Sequence, residues 1–155
     1  MFKRILIAYD GSQPAEKAFH TALSLAAKYQ ASLQVLSLGR PLERFAGEFE
    51  LMLAQMAPTE FTPDAEMDAV ARHAQERYQQ RFMLLRERAA QSGVVPEFQV
   101  LIGDPAEQIV RTADEKAIDL VLLGHRGNAL FERWLLGSVA KAVIAHAKCT
   151  VLVVR

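Results

Sequence analysis

Five short apolar runs, Ile5 to Tyr9, Leu33 to Leu38, Phe98 to Ile102, Leu120 to Leu123 and Val151 to Val154, are separated by stretches in which apolar residues recur at helical spacing. None shows the strict apolar–polar alternation of a strand with one face in water. Strands apolar on both faces belong to a parallel sheet covered by helices on both sides. The succession predicts one doubly wound, five-stranded α/β domain over residues 1–155.

The helical stretches carry their own punctuation. Ala15, Ala18, Phe19, Ala22, Leu23 and Ala26 form one face of a first helix, started by Ser12 or Gln13 with Pro14 in its first turn. A long helix is expected from about Asp64 to Gln91, with Met67, Val70, Ala71, Ala74, Tyr78, Phe82, Leu85 and Ala89 on one face and Gly93 just past its end. Gly103-Asp104-Pro105-Ala106-Glu107 supplies a cap, a first-turn proline and an acid three residues after the cap, before Ile109, Val110, Ala113 and Ala117. Ser138 to Ala147 is the last helix, with Val139, Ala142, Val143 and His146 aligned. Gly39 to Pro63 is too long for an ordinary connection, and Leu42, Phe45, Ala46, Phe49, Met52, Leu53 and Met56 predict an inserted amphipathic helix ended before Pro58. Its apolar face is expected either to pack back on the domain, or to form a flap over a ligand or a contact with another subunit.

A chain of 155 residues, 51% hydrophobic, buries roughly 70% of its unfolded surface and needs no disulfide or structural metal. Eighteen basic residues balance eighteen acidic ones. No overall field then draws in nucleic acid or anionic membrane, and no apolar run approaches the ~20 residues that span a bilayer. A lone cysteine, Cys149, and a strand-like start without a leader lead us to expect the cytoplasm. Zero net charge also favours self-association.

Ligands of open α/β sheets bind beyond the carboxyl ends of the strands. Those ends offer Asp10-Gly11-Ser12, Leu38-Gly39, Gly103-Asp104-Pro105 and Gly124-His125-Arg126-Gly127. Three of the eight glycines, Gly124, Gly127 and Gly137, cluster around the fourth end, and Gly137-Ser138 opens a helix. Glycines let backbone amides approach a ligand, and a helix N-terminus favours an anion, so the arrangement points to phosphate. The Ser138 hydroxyl adds a donor to phosphate or an oxygen ligand to a metal. Neither a P-loop nor a dinucleotide fingerprint is present. Asp104 is better used as a cap, and no chain is left after the last strand to supply a lysine, so Asp10 is read as a ligand or metal contact rather than a phosphoacceptor; capping its own turn is the competing role.

Gly124-x-x-Gly127-x9-Gly137-Ser138, preceded by Ile5-Leu6-Ile7-Ala8-Tyr9-Asp10-Gly11-Ser12 and followed by Val139-Ala140-Lys141 and Cys149-Thr150-Val151-Leu152-Val153-Val154, resembles the ATP-binding branch of the universal stress protein family. The resemblance covers the chain except Gly39 to Pro63. It implies an adenine nucleotide alpha hydrolase-like sheet in the order 3-2-1-4-5, with adenosine between the first and fourth strands. Ala8, Tyr9 and Asp10 would line the adenosine side, Tyr9 being larger than the residues common there. The backbone near Leu36 would meet the adenine, and Gly124 the ribose. Gly127, Gly137, Ser138 and Val139 would hold the phosphates of ATP, ADP or AMP, with or without Mg²⁺. It further implies a homodimer through Val151–Val154, which a bare apolar sheet edge also calls for.

No hydrolytic constellation stands out, so at most slow ATP hydrolysis is expected. Arg126 is placed either to neutralise phosphate or to sit in solvent; His125 is read as a loop residue facing water, and Trp134 as a loop anchor. His20, His73 and His146 lack metal-ligand spacing. A nucleotide-sensing stress regulator, a weak Mg²⁺-dependent ATPase and a nucleotide-stabilised partner-binding scaffold all remain open at this point.

Overall fold

The computed structural model describes residues 1–39, 63–125 and 136–155, with the backbone alone at residues 39 and 63–75. Strands β1 (Arg4–Ala8), β2 (Ser32–Gly39), β3 (Glu97–Ile102), β4 (Leu120–Gly124) and β5 (Thr150–Val154) alternate with helices α1 (Gln13–Tyr29), α2 (Pro63–Gln91), α3 (Pro105–Glu115) and α4 (Ser138–His146). All strand pairs are parallel and the order is β3-β2-β1-β4-β5. The expected doubly wound architecture is therefore the observed one. Every expected strand and helix outside Gly39–Pro63 is present, displaced by a residue or so at its ends. The inserted helix expected within Gly39–Pro63 falls on residues 40–62, outside the described ones.

Alternation along the central strand divides the core into two layers. Ile5 and Ile7 join Ala18, Phe19 and Ala22 of α1 and Phe82, Leu85 and Ala89 of α2 on one face. Leu6 points the other way, with Leu36 of β2, Ile109 and Ala113 of α3, and Ala140 and Val143 of α4. Ile5, Leu6 and Ile7 are wholly buried, each stabilising the fold by about 1.5–3 kcal/mol. Of the expected α2 face, Phe82, Leu85 and Ala89 are buried and Tyr78 packs against them; Met67, Val70, Ala71 and Ala74 precede the described side chains.

The caps behave as their chemistry requires. Ser12 Oγ accepts from the amide of Ala15 at 3.3 Å to open α1, and Asp104 Oδ1 accepts from Glu107 at 2.9 Å to open α3. Gly93, two residues past the end of α2, takes φ +68°, and its amide bonds the Ala90 carbonyl. Winding away from β1 goes through α1 on one face and returns to β4 through α3 on the other, so the direction reverses between β1 and β4. That reversal leaves a crevice at the carboxyl edge of the sheet.

Candidate functional site

Backbone geometry at the end of β1 is held from β2. The Tyr9 amide donates to the Leu36 carbonyl at 2.9 Å, and the buried Ser37 hydroxyl donates to the Tyr9 carbonyl at 3.2 Å. Leu36 thus lies beside Ala8, with its side chain in the core and its carbonyl facing the β1 exit. Beyond Tyr9 the chain turns sharply: Asp10 Oδ1 accepts from the amide of Ser12 at 2.9 Å, and Gly11 adopts φ +79°. Asp10 is exposed and braces its own turn with one carboxylate oxygen, the capping role that competed with ligand binding.

Tyr9 sends its ring away from this edge, into the layer beneath α1 and α2. It meets Phe19 edge-on at 6.0 Å and its hydroxyl bonds the Glu16 carboxylate, which in turn pairs with Arg88 of α2 at 2.5 Å. Burial, together with the Glu16 hydrogen bond and charge, pushes the phenol well above its ordinary value, while Arg81 and Arg88 pull it partly back. Tyr9 is thus a neutral hydrogen-bond donor throughout the physiological range, and its bulk takes no room at the crevice.

The fourth strand end meets α1 closely. A Cβ on Gly124 would lie 2.8 Å from the Pro14 carbonyl carbon and 2.9 Å from the Ala15 nitrogen, so only glycine lets β4 lie against the first turn of α1. Next to it, the His125 amide donates to the Val154 carbonyl at 2.7 Å and its carbonyl accepts from Gly137 at 3.0 Å. That second bond brings Gly124 and Gly137 together although twelve residues separate them. His125 is 8% exposed, which overturns the reading of it as a water-facing loop residue: its backbone joins β4, β5 and α4, and the side chain is enclosed with them. Arg126, Gly127 and Trp134 lie outside the described residues.

The starts of α1, α3 and α4 differ in one respect. Helices α1 and α3 each have a side-chain cap and an acid in the first turn, Glu16 and Glu107. Helix α4 begins at Gly137 with no side-chain cap and no acid in its first turn. The amides of Ser138, Val139 and Ala140 therefore have no partner within the helix, and no acid of its own first turn offsets the positive end of its dipole. Ser138 is exposed and Val139 half-buried. Of the residues expected to hold a nucleotide, Gly124, Gly137, Ser138 and Val139 gather at this start, and Ala8, Tyr9, Asp10 and Leu36 gather at the end of β1. Sequence reading missed Ser37, Glu16, Arg81 and Arg88, whose partners are distant in the chain. Among the described residues no group of three or more His, Cys, Asp or Glu is placed to hold an ion.

Comparison with known proteins gives a consistent result. The model of the universal stress protein family matches residues 1–155. The universal stress protein YxiE of Bacillus subtilis is 31% identical over 155 residues, covering the whole of both chains. Among solved structures, universal stress protein UspA from Lactobacillus plantarum superposes with a TM-score of 0.72 at 27% identity, covering 99% of this chain and 98% of its own. Two others share the fold at lower identity: a universal stress protein in complex with cAMP (TM-score 0.61, 23% identity, 99% and 97% covered) and the Archaeoglobus fulgidus universal stress protein in complex with dAMP (0.63, 18%, 99% and 98%).

Proposed function

The chain belongs to the universal stress protein family, and from that premise we propose that it binds an adenine nucleotide, ATP or AMP, at the carboxyl edge between β1 and β4. Occupancy of this site, rather than turnover, is the signal of a cytoplasmic stress-response regulator. The observation that carries the reading is the start of α4, where Gly137 offers no side-chain cap and the first turn no acid, beside the glycine end of β4. An anionic phosphate supplies what a side-chain cap and an acid supply at α1 and α3. The cAMP and dAMP complexes of two proteins with this fold support the choice of an adenine nucleotide.

Each assigned residue then has a part. Gly137, Ser138 and Val139 hold phosphate through amides and the Ser138 hydroxyl, with Arg126 and Gly127 of the same motif assigned beside them. Gly124 approaches the ribose, and Asp10 accepts from the ribose. The backbones of Ala8, Tyr9 and Leu36 border the base. Were Mg²⁺ carried on the phosphates, the Asp10 carboxylate and the Ser138 hydroxyl would be the oxygen donors offered to it, and the ion would screen phosphate charge. We read the chain as one domain that forms a homodimer through β5.

Mass spectrometry of the small molecule released from purified protein tests the identity of the ligand, and calorimetry with ATP and AMP tests affinity. Gly137 has φ −60° and ψ 152°, a conformation open to any residue, so Gly137→Val should fold and lose nucleotide binding. Unchanged ATP affinity in that variant would refute the site. Phosphate release well above background and abolished by His125→Ala would replace the sensor reading with an ATPase.

A further inference from the structure

We infer that Arg81, reaching over from α2, is a ligand-binding residue at the base end of the crevice, where its flat guanidinium forms a stacking platform for the adenine; the inference rests on the nucleotide reading above. Helix α2 is anchored below this level. Phe82, Leu85 and Ala89 are buried, the Phe82 and Phe98 rings lie 4.7 Å apart, and Arg88 pairs with Glu16 at 2.5 Å. Arg81 precedes Arg88 by seven residues, a displacement of about 10 Å along the helix axis. Arg88 meets the first turn of α1, so the displacement carries Arg81 to the turn before α1, at the carboxyl edge of the sheet.

There the guanidinium rests on Gly11. A Cβ at that position would be 3.1 Å from both Cζ and Nη2 and 3.4 Å from Nη1. One point nearly equidistant from these three atoms lies above their plane, so the group lies face-on to the turn. Glycine suits the φ of +79°, and a Cβ in its place would also press on the guanidinium. The position is on the β2 and β3 side of the crevice, because Phe82 on the same helix packs against Phe98 of β3. By the reading above this is the base end, remote from the start of α4. Asp10 and Glu16 flank the turn, yet among the described residues Arg81 forms no ion pair with either. Its charge is thus not consumed by them, and a planar cation of this kind stacks on aromatic faces where an ammonium does not.

Calorimetry with adenosine, AMP and ATP on the wild type, Arg81→Met and Arg81→Lys tests this. Arg81→Met should weaken all three by a similar factor of about tenfold, because they share the base, and Arg81→Lys should not restore it. Arg88→Met loosens the same helix by breaking the bridge to Glu16, and should leave affinity within about twofold. Unchanged affinity in folded Arg81→Met, a loss confined to ATP, or an equal loss in Arg88→Met each overturns the assignment while leaving the nucleotide reading intact. Absence of binding by the wild type overturns both. Should Arg81→Met fail to fold, Arg81→Gln carries the same expectations.

Discussion

At the scale of single residues, close approach and burial decide what each position tolerates. Gly124 is constrained by α1 before any ligand is considered, since a methyl group would enter the backbone of Pro14 and Ala15. Gly124→Ala should therefore cost about 1–3 kcal/mol in denaturant unfolding, as overpacking does. Loss of nucleotide affinity with no loss of stability would mean that the ligand alone constrains the position. Tyr9 offers a pH test. Its phenol titrates ordinarily near 10.0 and is raised in the folded protein. Between those values the folded state keeps the proton that the unfolded state has lost, so this contribution is complete below pH 10 and declines as pH rises above it. Tyr9→Phe removes the effect and the bond to Glu16. It should cost about 1 kcal/mol at pH 7 and show a smaller difference from wild type above pH 10. A difference that grows with alkalinity would contradict the sign.

At the scale of elements, the helix starts were the most legible features. Asp104 and Ser12 act as the local pattern implies, because a cap is made within four residues and needs no tertiary information. Asp104→Ala should cost about 1 kcal/mol by thermal or chemical unfolding, with the loss localised to α3 by amide exchange. Gly137 is the informative contrast. Gly137→Asp places a good cap on α4, so stability should rise by a few tenths of a kcal/mol. The same carboxylate occupies and charges the space assigned to phosphate, so ATP affinity should fall at least tenfold. Opposite signs in the two measurements would separate a ligand site from an unremarkable helix start; equal ATP affinity would favour the latter.

At the scale of the whole molecule, β5 ends the sheet beside β4 alone, with Leu152 36% exposed at that edge. An apolar edge strand in a chain of zero net charge meets no long-range repulsion from a second copy. With β5 as the proposed dimer seam, Leu152→Lys should give a monomer in sedimentation at micromolar concentration where the wild type gives a dimer. A wild-type monomer would remove the β5 interface from the proposal. Neutrality does not oppose the proposed anionic ligand either, because the attraction proposed at α4 would come from backbone amides rather than from a surplus of basic side chains.

The sequence by itself determined the alternation of strands and helices, the parallel character of the sheet, the caps of α1 and α3, and the gathering of glycines at one strand end. These follow from periodicity and from turn chemistry, which record which face a residue buries and how the next few residues bend. The strand order was implied only through family resemblance, since periodicity does not say which strand lies beside which. Tertiary structure alone decided that His125 is enclosed, that Tyr9 turns from the crevice toward Glu16, that Ser37 braces the β1 exit, and that Arg81 covers Gly11. Each depends on groups brought together from 7 to 70 residues apart. No local pattern encodes such a meeting; only packing the two helical layers onto one sheet brings it about.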